Sequence, residues 1–112
     1  MSAEHIFEIS GATVTVRSIG NEYQPSDRAY RQRYAYVIAA DGWEYVGDDI
    51  RSGCGADVDL QDAAQTLLSF LGACAESRQF GTEQSENWGL FPDHVANWAV
   101  KESDEISLLA EA

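Results

Sequence analysis

The chain has 112 residues, 45% hydrophobic and 23% charged. That suffices for one compact core, is too short for two, and excludes both a disordered and a fibrous protein. Nineteen Asp and Glu against seven Lys and Arg leave a net charge of −12, a field that repels phosphate backbones and anionic headgroups and so argues against direct nucleic-acid or membrane binding.

The imbalance comes mainly from missing lysine, since Lys101 is the only one. It also belongs to the second half: through Val46 there are 6 acids and 4 bases, and from Gly47 onward 13 and 3. No run approaches the roughly 20 apolar residues of a membrane span, and the first residues, MSAEHIFEIS, lack the basic and apolar regions of an export signal. A cytoplasmic protein with free thiols at Cys54 and Cys74 is therefore expected.

In chain order, HIFEI and ATVTVRSI alternate β-branched and polar residues around Ser10-Gly11, the pattern of a hairpin with Phe7, Ile9, Val14 and Val16 facing inward. Residues 20–28, GNEYQPSDR, gather turn-forming side chains and are read as a loop. RQRYAYVIAA, Asp41-Gly42 and WEYVG then predict a second hairpin on a type I′ turn. Pairing Ala40 with Trp43 sets Ile38 against Tyr45 and Val37 against Val46. Tyr34, Tyr36, Ile38, Trp43 and Tyr45 then share one face.

DDIRSGCGAD is read as a long connection off the sheet. Asp59 followed by Asp62 resembles a capping box. Leu60, Ala63, Ala64, Leu67, Leu68, Leu71, Cys74 and Ala75 form a helical apolar stripe that runs to about Arg78. After a loop from Gly81, Pro92 opens a second helix at its first position, with Val95, Trp98, Ala99, Ile106 and Leu109 on its inner stripe. A bend is expected near Lys101–Glu105, where Ser103 is placed to cap a fresh terminal helix. The whole is a single α+β domain over residues 1–112: a four-stranded antiparallel sheet of two hairpins followed by two C-terminal helices packed on one face.

The residues suited to nucleophilic or metal chemistry are His5, His94, Cys54 and Cys74. No two have the close spacing of a zinc site, and Cys74 lies on the apolar stripe as a small core residue. Cys54, between two glycines and ahead of a helix start, is the one thiol placed for reactivity, but Asp48, Asp49, Asp57 and Asp59 around it disfavour the thiolate. GCGAD matches neither phosphate-binding spacing, and DVDLQD lacks the glycine and the distal glutamate of an EF-hand. No catalytic residue, metal or cofactor is expected. A small thiol- or metal-dependent enzyme centred on Cys54, with His94, is the remote alternative.

Two segments have the composition of protein interfaces, which enrich Tyr, Trp and Arg. Tyr23, Arg28, Arg31, Arg33 and Tyr34 form the basic and aromatic one; Trp88, Phe91 and Trp98 form the other. Asp93, Glu102, Asp104 and Glu105 line the outer side of the second helix as an acidic surface, and such carboxylates allow a DNA-mimic inhibitor as a second reading. Ala35, Val37, Ala39 and Val46 lie on the sheet face left uncovered and allow a homodimer.

The composition, rich in Ala, Asp and Arg with Lys101 alone among lysines, resembles that of small acidic proteins from high-GC bacteria and their phages. The resemblance is one of style along the whole chain and carries no site residue. It implies an accessory protein that binds and inhibits a host or defence protein. The reading that follows is a non-enzymatic acidic module with a protein partner.

Overall fold

A computed structural model of the chain describes residues 4–26, 28–51, 59–80 and 91–111. The order is β1 (Glu4–Ile9), β2 (Ala12–Gln24), β3 (Ala29–Ala40), β4 (Trp43–Arg51), then helices α1 (Leu60–Phe80), α2 (Asp93–Lys101) and α3 (Ser103–Glu111). The strands form one antiparallel sheet in the order β1-β2-β3-β4, so the protein is α+β. The chain divides into two compact units, Met1–Ala64 and Gln65–Ala112.

The alternation in the sequence sets the sheet. Ala40 pairs with Trp43, Ile38 with Tyr45 and Val37 with Val46, as the turn position dictates. In the first hairpin Phe7 stands opposite Val14 and Ile9 opposite Ala12. Ile9, Val14, Val16, Tyr36 and Ile38 are fully buried along one face, while Phe7, on an edge strand, is half-buried. Complete burial of such side chains contributes about 1.5–3 kcal/mol each, which makes this face the main stabilising layer of the sheet unit.

Three departures from the sequence reading concern the strands. Residues 20–28 are not a loop: β2 continues to Gln24 and β3 begins at Ala29. Gly20, at φ +113°, accompanies a β-bulge between Ser18 and Gly20 instead of ending the strand. Arg28, just before β3, has φ +51°. Next, Gly42 has φ +92° but Asp41 is not among the positive-φ residues, so the signs are those of a type II turn and not of type I′. Finally, DDI belongs to β4, which runs to Arg51. A second bulge sets Asp48 and Asp49 against Ala35 alone, because Tyr36 pairs with Gly47 and Tyr34 with Ile50. The extra residue restores Ile50 to the buried face, where it is 1% exposed.

In the helices, the Asp59 carboxylate accepts the Asp62 N–H at 2.8 Å, one arm of the expected cap. Ala63, Ala64, Leu67, Leu68, Leu71, Cys74 and Ala75 are buried as the stripe requires. Pro92 lies one position earlier than expected: it is the N-cap of α2, extended at ψ 165°, and its carbonyl accepts the N–H groups of Val95 and Ala96. The second predicted helix is in fact two. Glu102, at φ −102° and ψ 19°, separates α2 from α3, and it, not Ser103, holds the junction. The ladder survives the bend, since Glu102 N–H donates to the Trp98 carbonyl at 2.9 Å and its own carbonyl accepts from Ile106 at 3.0 Å. Within the helical unit, Gln65 Nε2 donates to the Leu109 carbonyl at 3.2 Å, and Arg78 donates to Asp93 at 2.6 Å and to Asn97 at 3.0 Å. These bonds tie α3 and α2 to α1.

Candidate protein-binding surface

Among the described residues, β1 pairs with β2 as far as Arg17 and β4 with β3 as far as Arg33. Beyond those points Gly20–Gln24 and Ala29–Gln32 continue as a ribbon of two strands. A two-stranded ribbon without a packed face is marginal in water, so its cross-strand side chains decide whether it holds. Here they are Tyr23 and Tyr30, directly opposite each other, with rings meeting edge to face at a centroid distance of 5.1 Å. Such a pair stabilises by about 0.5–1.5 kcal/mol beyond its buried area. Glu22 opposes Arg31 on the reverse face, and Gln24 Nε2 donates to Glu22 at 3.3 Å.

The bulge at Ile19 is what makes the tyrosine pair. If Ile19 instead took a place in the ladder opposite Arg33, the register of Ser18 with Tyr34 would continue and set Tyr23 against Ala29. With Ile19 bulged out, Tyr23 meets Tyr30.

Both rings remain largely in water: Tyr23 is 48% exposed and Tyr30 60%. Arg28 is exposed, and Arg31 half-buried. Arg33 reaches Asp48 at 3.3 Å, an exposed pair of small energetic weight. Over residues 20–33 three arginines outnumber Glu22 and Asp27, so this arm is net +1 while the rest of the chain is net −13. Among the described residues the arm thus joins net positive charge to exposed aromatic rings on an anionic chain.

The other nominated residues fall differently. Tyr34 is 1% exposed and its hydroxyl donates to Gln32 Oε1 at 2.6 Å, so its ring lies beneath the surface. Phe91 is buried and Trp98 half-buried; Trp88 lies outside the described residues. Tyr30, absent from the candidates read from the sequence, is the most exposed tyrosine. Its signal was the antiparallel pairing with Tyr23, hidden while residues 20–28 read as a loop. Of the acidic set, Asp93 is committed to Arg78, Glu102 and Glu105 are half-buried, and Asp104 is exposed.

Cys54 and Asp57 lie outside the described residues. Cys74 is buried: desolvation pushes its thiol above the ordinary range, and the Arg78 guanidinium offsets this in part. His94 is exposed in the first turn of α2, and His5 faces the Phe7 ring at 5.8 Å. Among the described residues no three His, Cys, Asp or Glu side chains gather as a metal site, and no helix is long and apolar enough to cross a membrane. Comparison of the chain with protein-family models, curated proteins and solved structures finds no match.

Proposed function

We propose that this chain is a non-enzymatic protein-binding module that engages its partner through the β2–β3 arm, in the manner of an accessory protein that inhibits what it binds. One observation carries this reading: an edge-to-face tyrosine pair held half in water at the end of a two-stranded projection. Rigid, amphipathic tyrosines beside arginines give large contact area at low entropic cost, the composition found at interface centres. Arg28 and Arg31 add directional donors for carboxylates, so the preferred partner surface is acidic or rich in carbonyl acceptors. Tyr23, Tyr30 and Arg28 make the contact, and Arg31, on the reverse face, flanks it.

The test compares affinity capture by the wild-type chain with capture by a Tyr23→Ser/Tyr30→Ser variant whose circular dichroism matches wild type. A partner lost, or weakened at least tenfold, only in the arm variant supports the reading. Equal capture by both refutes it. A complex indifferent to the arm, steeply weakened by salt and displaced by duplex DNA, would instead assign the acidic residues around Asp104 as the contact, the behaviour of a DNA mimic.

A further inference from the structure

The face of the sheet opposite the buried one carries its own pattern. Along β2 and β3 its side chains are short: Thr13 and Thr15 on one strand, Ala35, Val37 and Ala39 on the other. One apolar residue stands on each flanking strand, Ile6 on β1 and Val46 on β4. Ile6 pairs with Thr15, Thr15 with Val37, and Val37 with Val46, so one row of β-branched residues crosses all four strands. Its two ends are open to water, Ile6 at 58% and Val46 at 59%. A depression of about 340 Å³ lies over the two central strands, floored by Thr15, Ala35, Val37 and Ala39 and reaching Glu4 and Arg17 at one end and Glu44 at the other.

The face has a defined width and sign. β1 and β4 lie three strand spacings apart, roughly 14 Å, a face wide enough to seat one α-helix of about 10 Å diameter but too narrow for two. At one end Glu4 stands directly opposite Arg17, a neutral combination. At the other, the row Glu8, Thr13, Ala39, Glu44 sets a carboxylate on each flanking strand with no base between them. A second copy of the chain would bring the same carboxylates and a net −12 charge against these, so the rim opposes self-association through this face and favours a cation.

From this complementarity we infer that the open sheet face is a docking groove for a basic amphipathic helix of another protein. The helix lies along β2 and β3 with its aliphatic stripe on Thr15, Val37 and Ala39, between Ile6 and Val46. Lys or Arg side chains at one end meet Glu8 and Glu44. This groove is separate from the tyrosine arm, and neither site depends on the other.

The probe is a synthetic 14-residue amidated peptide of leucine and lysine, with leucines on one helical face and lysines on its flanks, titrated by calorimetry. Wild-type chain is expected to bind it one to one. Val37→Arg, which fills the floor with a cation, should weaken binding at least tenfold, and Glu8→Gln/Glu44→Gln should weaken it at least threefold. A matched loss of two charges elsewhere, Asp104→Asn/Glu111→Gln on α3, should leave the affinity unchanged, as should Tyr23→Ser/Tyr30→Ser. The inference is overturned if no binding occurs, if the two charge-neutralising variants weaken it equally, or if the arm variant abolishes it. It is also overturned if sedimentation finds a wild-type dimer that Val37→Arg splits, since the groove would then belong to a second copy.

Discussion

Tyr36 packs directly over Gly47, and replacing that glycine by alanine is a sharp test of the described register. The two residues oppose each other across β3 and β4. The Tyr36 ring lies so directly over Gly47 that a Cβ there would overlap the ring's outer carbons and its hydroxyl oxygen. Tyr36 has no exposed surface and its ring neighbours Tyr45 at a centroid distance of 6.1 Å, so it cannot swing clear without displacing other buried groups. Overpacking of this kind costs about 1–3 kcal/mol, and eviction of the ring would forfeit a burial term of similar size. Against this, alanine in a strand gains about 0.5–1 kcal/mol over glycine. The expected net loss for Gly47→Ala is about 2 kcal/mol, seen as a lower urea midpoint at unchanged slope and a fall in Tm of roughly 10 °C. Tyr36→Leu removes the overlapping atoms, so in that background Gly47→Ala should be neutral or slightly stabilising. A coupling below about 0.5 kcal/mol in this double-mutant cycle, or a single-mutant cost that small, would refute the assigned contact.

The opposite outcome is expected at Gly72, in the middle of α1, where an added Cβ would meet Ile106 Cγ2 at an ordinary 4.0 Å: Gly72→Ala should raise stability by about 0.5–1 kcal/mol in thermal melts, and a loss would mean that α3 lies closer to α1 than described. Cys74 makes a prediction about pH. Burial raises its thiol pKa in the native state, so the folded chain keeps a proton that the unfolded chain releases above about pH 8.5; stability is therefore full below that pH and declines as pH rises beyond it. Urea titrations between pH 7.5 and 9.5 should show this decline in Cys54→Ser protein and a flatter profile once Cys74→Ala is added. In the same Cys54→Ser protein, a thiol reagent should react with Cys74 only as fast as the chain opens, and rapid labelling under native conditions would contradict its burial.

Much of the sheet was legible because period two and a two-residue turn leave little freedom: once Asp41-Gly42 sits at the corner, Ala40, Ile38 and Val37 have only one set of partners. The α1 stripe was legible for the analogous reason at period 3.6. The turn's backbone was less so, since both type I′ and type II place a glycine at the second corner and differ in the φ sign of Asp41, which its side chain tolerates either way. Pro92 was misplaced by one residue because proline suits both the position before a helix and its first turn. The junction at Glu102 was anticipated from the polar run Lys101–Glu105, but that run contains several residues able to hold it. At the binding surface, Tyr34 was nominated by composition alone. Register places it in line with Tyr36 and Ile38 on the buried side, which composition cannot reveal.

The larger misses share one cause. Periodicity arguments assume that alternation continues, and a bulge breaks it by one residue while leaving the strand intact. Ile19 shifts the second half of β2, so that Tyr23 rather than Glu22 meets Tyr30; read without the shift, the segment has no coherent face and its Gly, Asn and Pro dominate as loop signals. Asp48 and Asp49 do the same in β4, where two acids with poor strand preference conceal that Gly47 and Ile50 face the same side. In both places the extra residue does structural work that an uninterrupted strand could not. One bulge aligns the exposed aromatic pair, and the other returns Ile50 to the core. Deleting Ile19 would therefore remove the bulge without touching the pair: Gly20 would follow Ser18 directly, still opposite Arg33, and Tyr23 would stay opposite Tyr30, whereas an uninterrupted ladder that set Ile19 opposite Arg33 would move Tyr23 to Ala29 and dissolve the tyrosine contact.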